Sequence, residues 1–344
     1  MAVGIVSFGS YLPQGRIKVA DIAAVWEKDA NDITKSLGIE EKVVAEKDED
    51  AVTLAVEAAL NCLSNSSKVK IAEIEAVMVG SESHPYAVNP TSTIVAEALG
   101  FSHNYLAVDL EFACKAATAG MQAIAGLVEA KKISHGLIIG SDCAQARPHD
   151  VLEYTAGAGA AAFLIGRENL IAELIDFSSY SSDTPDFWRR EGVRYPAHGG
   201  RFTGEPAYFN HVEKAASNLL TKTNTKPQDY DYCVFHSPNG KFPQSVAKRL
   251  GFSFEQLQPG FIVNQIGNPY SASSLLSLCQ VLEKAKPQEK IFMVSYGSGA
   301  GSDAFVFQTT KNLKEKRPSK SLAYYLQTKK YYSYLTLLKN EGKI

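Results

Sequence analysis

Short apolar runs bounded by glycine, serine or proline alternate along this chain with stretches whose apolar residues recur every three or four positions. The first pattern is typical of buried strands and the second of helices. Strands are predicted at residues 76–80, 105–110, 136–140, 160–165, 232–235, 261–263, 290–295 and 303–307. Helices are predicted at residues 51–62, 116–130 and 272–282. Strands that alternate with helices indicate an α/β protein whose sheets are largely covered.

The order of these elements occurs twice. Leu-Gly-Phe at 99–101 returns at 250–252, and each copy is followed by a short strand, a turn and a helix rich in small residues. Two pairs of residues with reactive or polar side chains share one spacing of 154 positions: Glu82 with His236, and Cys114 with Asn268. The repeat predicts two similar halves that face each other, with these four residues near the interface, where sites are common.

The distribution of charge sets the C-terminal end of the 344 residues apart from the repeat. The formal net charge is -2, but residues 311–344 carry about +7 and five of the 16 tyrosines, so the remainder carries about -9. We therefore predict halves at 1–166 and 167–310, an insert at about 178–211, and a basic, tyrosine-rich tail at 311–344. Two hypotheses are open for the aromatic part of the tail: it docks on a subunit or partner, or it is disordered. Lys311 to Lys320 are expected to form a solvated linker.

Composition excludes several classes of protein. The acidic body argues against a nucleic-acid binder, and no apolar run approaches the roughly 18–20 residues that cross a bilayer. Five cysteines without a CxxC pair argue against a disulfide framework or a zinc ribbon. There is no basic leader before an apolar segment at the N-terminus, so we expect a cytoplasmic protein. No metal-binding motif and no dinucleotide fingerprint is present.

Cys114 is the strongest candidate for a nucleophile. It follows a predicted strand and precedes the helix 116–130, and a helix N-terminus lowers a thiol pKa and favours the thiolate. His236 ends an apolar strand and is a candidate general acid or base. Glu82 also follows a strand, and burial in a cleft would raise its pKa and suit it to remove a weakly acidic proton. Asn268 matches Cys114 in the repeat and is expected in the same cleft.

A glycine-rich turn follows the strand 290–295 and contains Tyr296, Gly297 and Ser298. Neither a helix-forming stretch nor a Lys-Ser/Thr pair comes after it, so a phosphate-binding P-loop is not expected. Its N–H groups, together with the N–H of Cys114, are predicted to form an oxyanion hole.

At these residues the sequence resembles the thiolase superfamily, and within it the hydroxymethylglutaryl-CoA synthase family of the archaeal and bacterial type. The matching pieces are Glu82, LEFACKAATAG around Cys114, residues 155–162, Asp186-Phe187-Trp188-Arg189, His236-Ser237-Pro238, Gly267-Asn268 and residues 295–299. They span most of residues 1–310. Glu82 and the Asp-Phe-Trp-Arg insert distinguish this family from ketoacyl synthase III relatives, which share the cysteine and asparagine motifs.

The resemblance implies a five-layered α/β/α/β/α fold of two pseudo-symmetric halves. It also implies that Cys114 is acetylated by acetyl-CoA and that Glu82 removes a methyl proton. The resulting enolate would attack acetoacetyl-CoA, which His236 positions while it helps to protonate the new alkoxide. Asn268 and the Ser298 N–H would hold carbonyl oxygens. Water would then release hydroxymethylglutaryl-CoA, a precursor in the mevalonate pathway for isoprenoids.

The same resemblance implies substrates and partners. CoA thioesters would be the substrates, with no cofactor and no metal. Lys241 is the favoured contact for CoA phosphates, whereas Lys248 and Arg249 are more simply read as a solvated basic face. The family commonly forms homodimers. Archaeal-type members are further expected to associate with an acetoacetyl-CoA thiolase and a small zinc-ribbon/OB-fold protein that bridges the CoA sites.

Three alternatives remain open. The first is a ketoacyl-ACP synthase III-like acyltransferase, because decarboxylative condensation does not require Glu82. The second is a non-catalytic scaffold of the same fold. The third is a Cys/His hydrolase, which would release acetate without acetoacetyl-CoA.

Overall fold

The computed structural model describes residues 2–66 and 69–344, and their elements alternate between strands and helices. The strands are β1 Gly4–Tyr11, β2 Gly15–Lys18, β3 Glu41–Val43, β4 Ile74–Gly80, β5 Leu106–Leu110, β6 His135–Cys143, β7 Ala158–Gly166, β8 Ala172–Thr184, β9 Phe187–Trp188, β10 Ala197–His198, β11 Tyr232–Phe235, β12 Lys290–Val294, β13 Gly299–Thr309 and β14 Lys330–Tyr331. The helices are α1 Val19–Val25, α2 Ala30–Leu37, α3 Ala51–Ser64, α4 Thr91–Ala98, α5 Ala116–Glu129, α6 Asn210–Thr223, α7 Phe242–Leu250, α8 Phe254–Leu257, α9 Val263–Ile266, α10 Ser273–Lys284, α11 Leu322–Gln327 and α12 Tyr334–Asn340. None of the helices in these ranges is long and apolar enough to cross a membrane.

The sheet shows the predicted repeat. Its strand order is β11-β12-β13-β8-β1-β7-β6-β4-β5. Read outward from the middle, β1-β7-β6-β4 in one half corresponds to β8-β13-β12-β11 in the other. In both series the first two pairings are antiparallel and the third is parallel. The two halves join where β1 and β8 pair over two residues, Gly4 with Glu173 and Ile5 with Ala172.

The strand predicted at 261–263 is wrong. A 3-10 turn at Gln258–Gly260 leads into this segment, and Val263 begins the short helix α9. Ile262 and Val263 are buried, but in a helical turn. A three-residue apolar run has no period that separates a strand from a buried helical turn. Among the described residues, the second half consequently has no counterpart of β5.

The predicted small-residue helices α5 and α10 lie between the two halves. Ala117 of α5 donates its N–H to the Ser271 hydroxyl, just before α10, at 3.1 Å, and these residues are again 154 positions apart. A Cβ on Gly140 would lie 2.7 Å from the Ser271 carbonyl oxygen, so this close contact requires glycine. The outer helices α3 and α6 cover the other faces of the two halves. The resulting layers alternate as predicted, α/β/α/β/α.

A buried ion pair also joins the halves. The Lys115 ammonium, beside Cys114, lies 3.1 Å from Asp303 Oδ2 on β13. The hydroxyls of Thr118 and Ser179 donate to the same carboxylate, each at 2.8 Å. A buried charge requires such complete pairing, so this contact fixes the start of α5 against the second half.

The insert predicted at about 178–211 is partly continuous with the second half of the fold. Its first residues belong to β8, which pairs with β13 as far as Thr184. Its last residues form a π-helical turn, Thr203–Phe209, and the start of α6. Polar residues dominate the outer part of β8, which is why the apolar-run criterion missed this 13-residue strand.

The C-terminal segment packs on its own chain, an arrangement that neither tail hypothesis anticipated. Strand β14 pairs in parallel with β2, and Tyr334 and Leu337 of α12 enter a core cluster with Ile17 and Ile22. The expected solvated linker instead contains a 3-10 turn, Lys311–Glu315, whose Leu313 is buried in the main core.

Leu337→Ala tests this packing. Leu337 is 1% exposed and Leu335, on the same helix, is 56% exposed. Truncation of the buried leucine should lower the free energy of unfolding by about 2–5 kcal/mol, because it removes apolar contacts and leaves a cavity. The control Leu335→Ala should stay within about 0.5 kcal/mol. Equal effects in urea denaturation would contradict the docked tail.

Candidate active site

The predicted residues meet at a cavity of about 290 Å³ between the halves. Five of them line it: Cys114, His236, Asn268, Tyr296 and Ser298. Glu82 approaches from the side, with its Oε1 3.7 Å from the Cys114 sulfur. The structure therefore brings together one nucleophile, one carboxylate, one imidazole and one amide from both halves of the repeat.

Cys114 occupies a strained turn at the start of α5. Ala113 has a φ of 46°, in the left-handed region that non-glycine residues seldom adopt, and the Lys115 N–H donates to the Phe112 carbonyl. This turn directs the thiol into the cavity. Backbone strain of this kind is common where a reactive side chain has to be held in place.

The predicted depression of the thiol pKa is wrong for this resting structure. Burial and the negative charges of Glu82 and Asp142 raise the pKa of the Cys114 thiol well above its usual range. The ammonium of the adjacent Lys115 is already paired with Asp303. Burial and like charge therefore outweigh the helix N-terminus, and the sulfur retains its proton until a base accepts it.

Glu82 is a suitable base. As predicted for a carboxyl in a cleft, its pKa is raised, to about 8, first by burial and then by the charge of Asp142. The Arg189 guanidinium of the insert donates to the Glu82 carbonyl oxygen at 3.2 Å. A carboxyl group poised near neutral pH can accept and return a proton during one turnover.

Asp142 is a site residue that the sequence analysis missed. Its Oδ1 accepts hydrogen bonds from the Ser81 hydroxyl at 2.9 Å, the Glu82 N–H at 2.8 Å and the Ser83 hydroxyl at 2.7 Å. Its Oδ2 accepts the Ser271 N–H at 2.8 Å. One buried carboxylate thus holds the Glu82 turn to the start of the second central helix.

His236 lies directly after β11, as predicted, and its backbone N–H donates to the Val294 carbonyl at 2.9 Å. Burial lowers the pKa of the imidazole to about 3, so the ring is neutral near pH 7. Its Nδ1 is buried without a hydrogen-bond partner in the described structure. A neutral imidazole can position a substrate oxygen by donating an N–H, but it carries no positive charge.

Asn268 is fixed through its backbone and keeps its side chain available. Its N–H donates to the Thr155 carbonyl at 2.6 Å and its carbonyl accepts the Gly157 N–H at 3.1 Å. The side chain hydrogen-bonds with Cys114, which lowers the thiol pKa against the larger opposing effect of burial. Within the described residues, Asn268 Oδ1 is buried without a partner, so it can accept a hydrogen bond from a bound molecule.

Asp186 fixes the glycine-rich turn. It accepts the Tyr296 hydroxyl at 2.7 Å and the Gly299 N–H at 2.8 Å. Gly297 does not line the cavity. A Cβ on it would lie 2.5 Å from the Phe112 carbonyl oxygen, so its small size lets this turn pack on the Cys114 turn. Asp186 begins the Asp-Phe-Trp-Arg motif, but the motif alone assigns it no role.

The basic residues lie outside this cavity. Lys241 is exposed at the start of α7, its N–H donates to Asn239 Oδ1 at 2.8 Å, and it borders a separate groove that Lys248 also lines. Arg249 forms salt bridges with Glu205 and Glu213. Within the described ranges, no group of three or more His, Cys, Asp or Glu residues could hold a metal ion.

The sequence is similar to known proteins over nearly its whole length. The family model for the C-terminal domain of 3-oxoacyl-[acyl-carrier-protein (ACP)] synthase III matches residues 220–309. The hydroxymethylglutaryl-CoA synthase of Methanocaldococcus jannaschii is 55% identical over 342 residues, and that of Archaeoglobus fulgidus is 54% identical over 342 residues. In both cases the match covers 99% of each chain.

Solved structures show the same fold. An HMG-CoA synthase complexed with CoA has a TM-score of 0.89 at 24% identity and covers 98% of this chain and 90% of its own. MvaS in complex with 3-hydroxy-3-methylglutaryl coenzyme A has a TM-score of 0.89 at 20% identity and covers 99% and 91%. The thiolase-like architecture expected from the sequence is confirmed.

The raised pKa of Glu82 makes stability depend on pH. An unfolded chain loses this proton near 4.5, the ordinary glutamate value, and the folded chain near 8. Between these values the folded state holds a proton that the unfolded state has released, so a rise in pH favours unfolding. The wild-type Tm should therefore fall relative to that of Glu82→Gln from about pH 5 to pH 8. Parallel Tm curves in differential scanning calorimetry would contradict the raised pKa.

Proposed function

The chain belongs to the hydroxymethylglutaryl-CoA synthase family, and we propose that it condenses acetyl-CoA with acetoacetyl-CoA through an acetyl group on Cys114. The observation that carries this proposal is the 3.7 Å contact between the Cys114 sulfur and Glu82 Oε1. Acyl transfer needs a base for the thiol, and enolate formation needs a base for the acetyl methyl group. A carboxylate beside the sulfur can serve both steps.

Acetylation is the first step. Ionised Glu82 accepts the thiol proton as the Cys114 sulfur attacks the carbonyl carbon of acetyl-CoA. The oxyanion is held by N–H groups of Cys114 and Ser298, which we assign to this role. The carbon–sulfur bond to CoA breaks, and the departing CoA sulfur takes the proton from Glu82. This leaves acetyl-Cys114 and an ionised Glu82.

Condensation follows in the same cavity. Glu82 removes a proton from the acetyl methyl group, and an Nδ2–H of Asn268 and the oxyanion hole donate to the enolate oxygen. The enolate carbon attacks the ketone carbon of acetoacetyl-CoA. A ring N–H of the neutral His236 imidazole holds the ketone oxygen. The new alkoxide takes the proton from Glu82, with His236 assisting. Water then cleaves the thioester to Cys114, and hydroxymethylglutaryl-CoA and the free thiol are released.

The CoA portion of each substrate would extend from the cavity past His236. Pro238, Asn239 and Phe242 line this side of the cavity and continue into α7. Lys241 and Lys248 are exposed on this helix and its preceding turn, so their ammonium groups can approach CoA phosphates. Arg249 is less suited to this role because two carboxylates already bind it.

We further propose that the protein is a homodimer. Strand β5 lies at the end of the sheet, and Leu106 in it is 44% exposed. An open, partly apolar strand edge is a surface on which a second copy can continue the sheet. The proposed setting is the cytoplasm. Association with an acetoacetyl-CoA thiolase and a small zinc-ribbon/OB-fold bridging protein is proposed by analogy with archaeal-type members of the family.

The two chemical steps can be separated by substitution at Glu82. With radiolabelled acetyl-CoA, wild type should retain label on Cys114 and Cys114→Ala should retain none. Glu82→Ala should still become acetylated, but more slowly, because the Cys114 thiol then loses its proton to solvent. It should lose condensation by a factor on the order of 10²–10⁴, the usual contribution of a positioned base, because a carbon-bound methyl proton is not lost to solvent in this way. Glu111→Ala removes an exposed carboxylate from the groove that Glu82 also lines, and it should retain both steps.

Each alternative function has its own outcome in this experiment. Condensation that survives in Glu82→Ala would favour a ketoacyl synthase III-like acyltransferase. Absence of label on wild type would favour a scaffold. Release of acetate that does not depend on acetoacetyl-CoA would favour a hydrolase.

Leu106→Lys tests the dimer. A buried lysine at a sheet-to-sheet junction lacks a partner, so this change should shift the protein towards monomer in sedimentation equilibrium. Ile175→Lys places the same charge on another strand at a residue that is 48% exposed, and it should leave the mass unchanged. A wild-type monomer, or a dimer unaffected by Leu106→Lys, would contradict this interface.

A further inference from the structure

Two chain segments contribute a wall of the cavity besides the reactive groups. The first, residues 149–155, contributes Val151, Leu152 and Thr155. The second is the insert, which contributes Phe187 and His198. The segments touch each other, because His198 Nε2 lies 3.4 Å from Asp150 Oδ1. The shape of the acyl pocket therefore depends on how both segments are held.

The first segment is held by a buried carboxylate that points away from the cavity. Glu153 is fully buried. Its Oε1 accepts the Tyr334 hydroxyl at 2.7 Å, and its Oε2 accepts the Trp26 Nε1–H at 3.0 Å and the His149 N–H at 2.8 Å. The Lys42 ammonium donates to the Glu153 carbonyl at 2.5 Å. Both carboxylate oxygens are thus satisfied, and one of them is satisfied by the C-terminal segment.

Aromatic packing reinforces this contact. The Trp26 indole stacks on the His149 ring, with centroids 4.4 Å apart and planes at 3°, and Tyr334 meets Trp26 edge-on at 6.0 Å. The Tyr334 ring is buried. The hydroxyl that reaches Glu153 is consequently part of a rigid arrangement and does not belong to a mobile surface tyrosine.

The second segment is held by the end of α12. The Arg194 guanidinium of the insert donates to the Glu341 carbonyl at 2.6 Å and to the Gly342 carbonyl at 3.0 Å. The last carbonyls of a helix have no partners within the helix, so a cation at this position satisfies them. The C-terminal segment therefore contacts both parts of the cavity wall at once.

We propose that residues 334–342 act as a clamp that positions this wall and so determines how tightly acetoacetyl-CoA binds, with Tyr334 as a positioning residue. The inference rests on the proposed function for the identity of the substrate. Tyr334 does not line the cavity and acts through Glu153 on Val151, Leu152 and Thr155. The acetyl group is held on Cys114 by a covalent bond, whereas acetoacetyl-CoA is held only by noncovalent contacts with the cavity lining. Binding of acetoacetyl-CoA therefore depends on the wall more than retention of the acetyl group does. Small displacements of positioning groups are costly in such sites.

Tyr334→Phe tests the clamp, because it removes one hydroxyl and keeps the ring. The matched control is Tyr332→Phe. Tyr332 lies just before the clamp and also donates its hydroxyl to a carboxylate, that of Glu46, but Glu46 does not line the catalytic cavity. Tyr334→Phe should raise the KM for acetoacetyl-CoA by about 3–10-fold, the effect of one lost hydrogen bond. Its kcat and the amount of label on Cys114 should change less than about twofold.

The control separates positioning from stability. If the hydroxyls only stabilise the fold, both variants should lower Tm and neither should change KM. Equal KM values for Tyr334→Phe, Tyr332→Phe and wild type would overturn the clamp. A change in KM confined to Tyr334→Phe would support it, and Arg194→Ala should then raise KM as well, since it releases the other half of the wall.

A binding measurement distinguishes failure of the clamp from failure of the proposed function. In the Cys114→Ala background, equilibrium dialysis with radiolabelled acetoacetyl-CoA measures Kd without chemistry. A Kd that rises in Tyr334→Phe and not in Tyr332→Phe supports the clamp even if wild type shows no condensation. Unchanged Kd values, or no detectable binding to any variant, overturn it.

Discussion

The carboxylate of Asp142 is the contact on which the site depends most. It lies at the end of a central strand and binds donors from two directions, the Ser81–Ser83 turn of the first half and Ser271 of the second. Because Asp142 is fully buried, its charge depends on these donors, and their loss would leave it unsatisfied. The two copies of the repeat are thus joined by hydrogen bonds beside the reactive sulfur. The distance from Cys114 to Glu82 follows from that junction.

The charge that fixes the geometry also tunes the chemistry. Asp142 is the second contributor, after burial, to the raised pKa of Glu82, and with Glu82 it keeps Cys114 protonated. Lys115, the nearest cation in the sequence, is neutralised by Asp303, and His236 is uncharged because it is buried. The resting site therefore has little free positive charge. Thiolate formation therefore depends on proton transfer to Glu82. Cys114 and His236 do not form a thiolate–imidazolium ion pair in the described structure.

Much of this site was predictable from the sequence, since Cys114, Glu82, His236 and Asn268 follow strands or precede helices at one repeated spacing. The sequence did not reveal Asp142, although Ser141-Asp142 follows the strand predicted at 136–140 as Ser81-Glu82 follows the strand predicted at 76–80. That comparison could have found it. The thiol pKa was predicted in the wrong direction because a helix terminus is visible in the sequence, whereas burial and neighbouring charges arise only on folding. Strand β8 was missed for a related reason. It is a strand because it pairs with β13, and this pairing is not visible in its polar composition.

The C-terminal segment has a consequence for how the protein is made. During synthesis, Cys114, Glu82 and the wall residues 149–155 leave the ribosome long before residues 330–342 do. Until those later residues emerge, β2 lacks its β14 neighbour and Glu153 lacks the Tyr334 hydroxyl. The substrate pocket therefore takes its final shape late in synthesis, and an incomplete chain presents its thiol in an unfinished cavity.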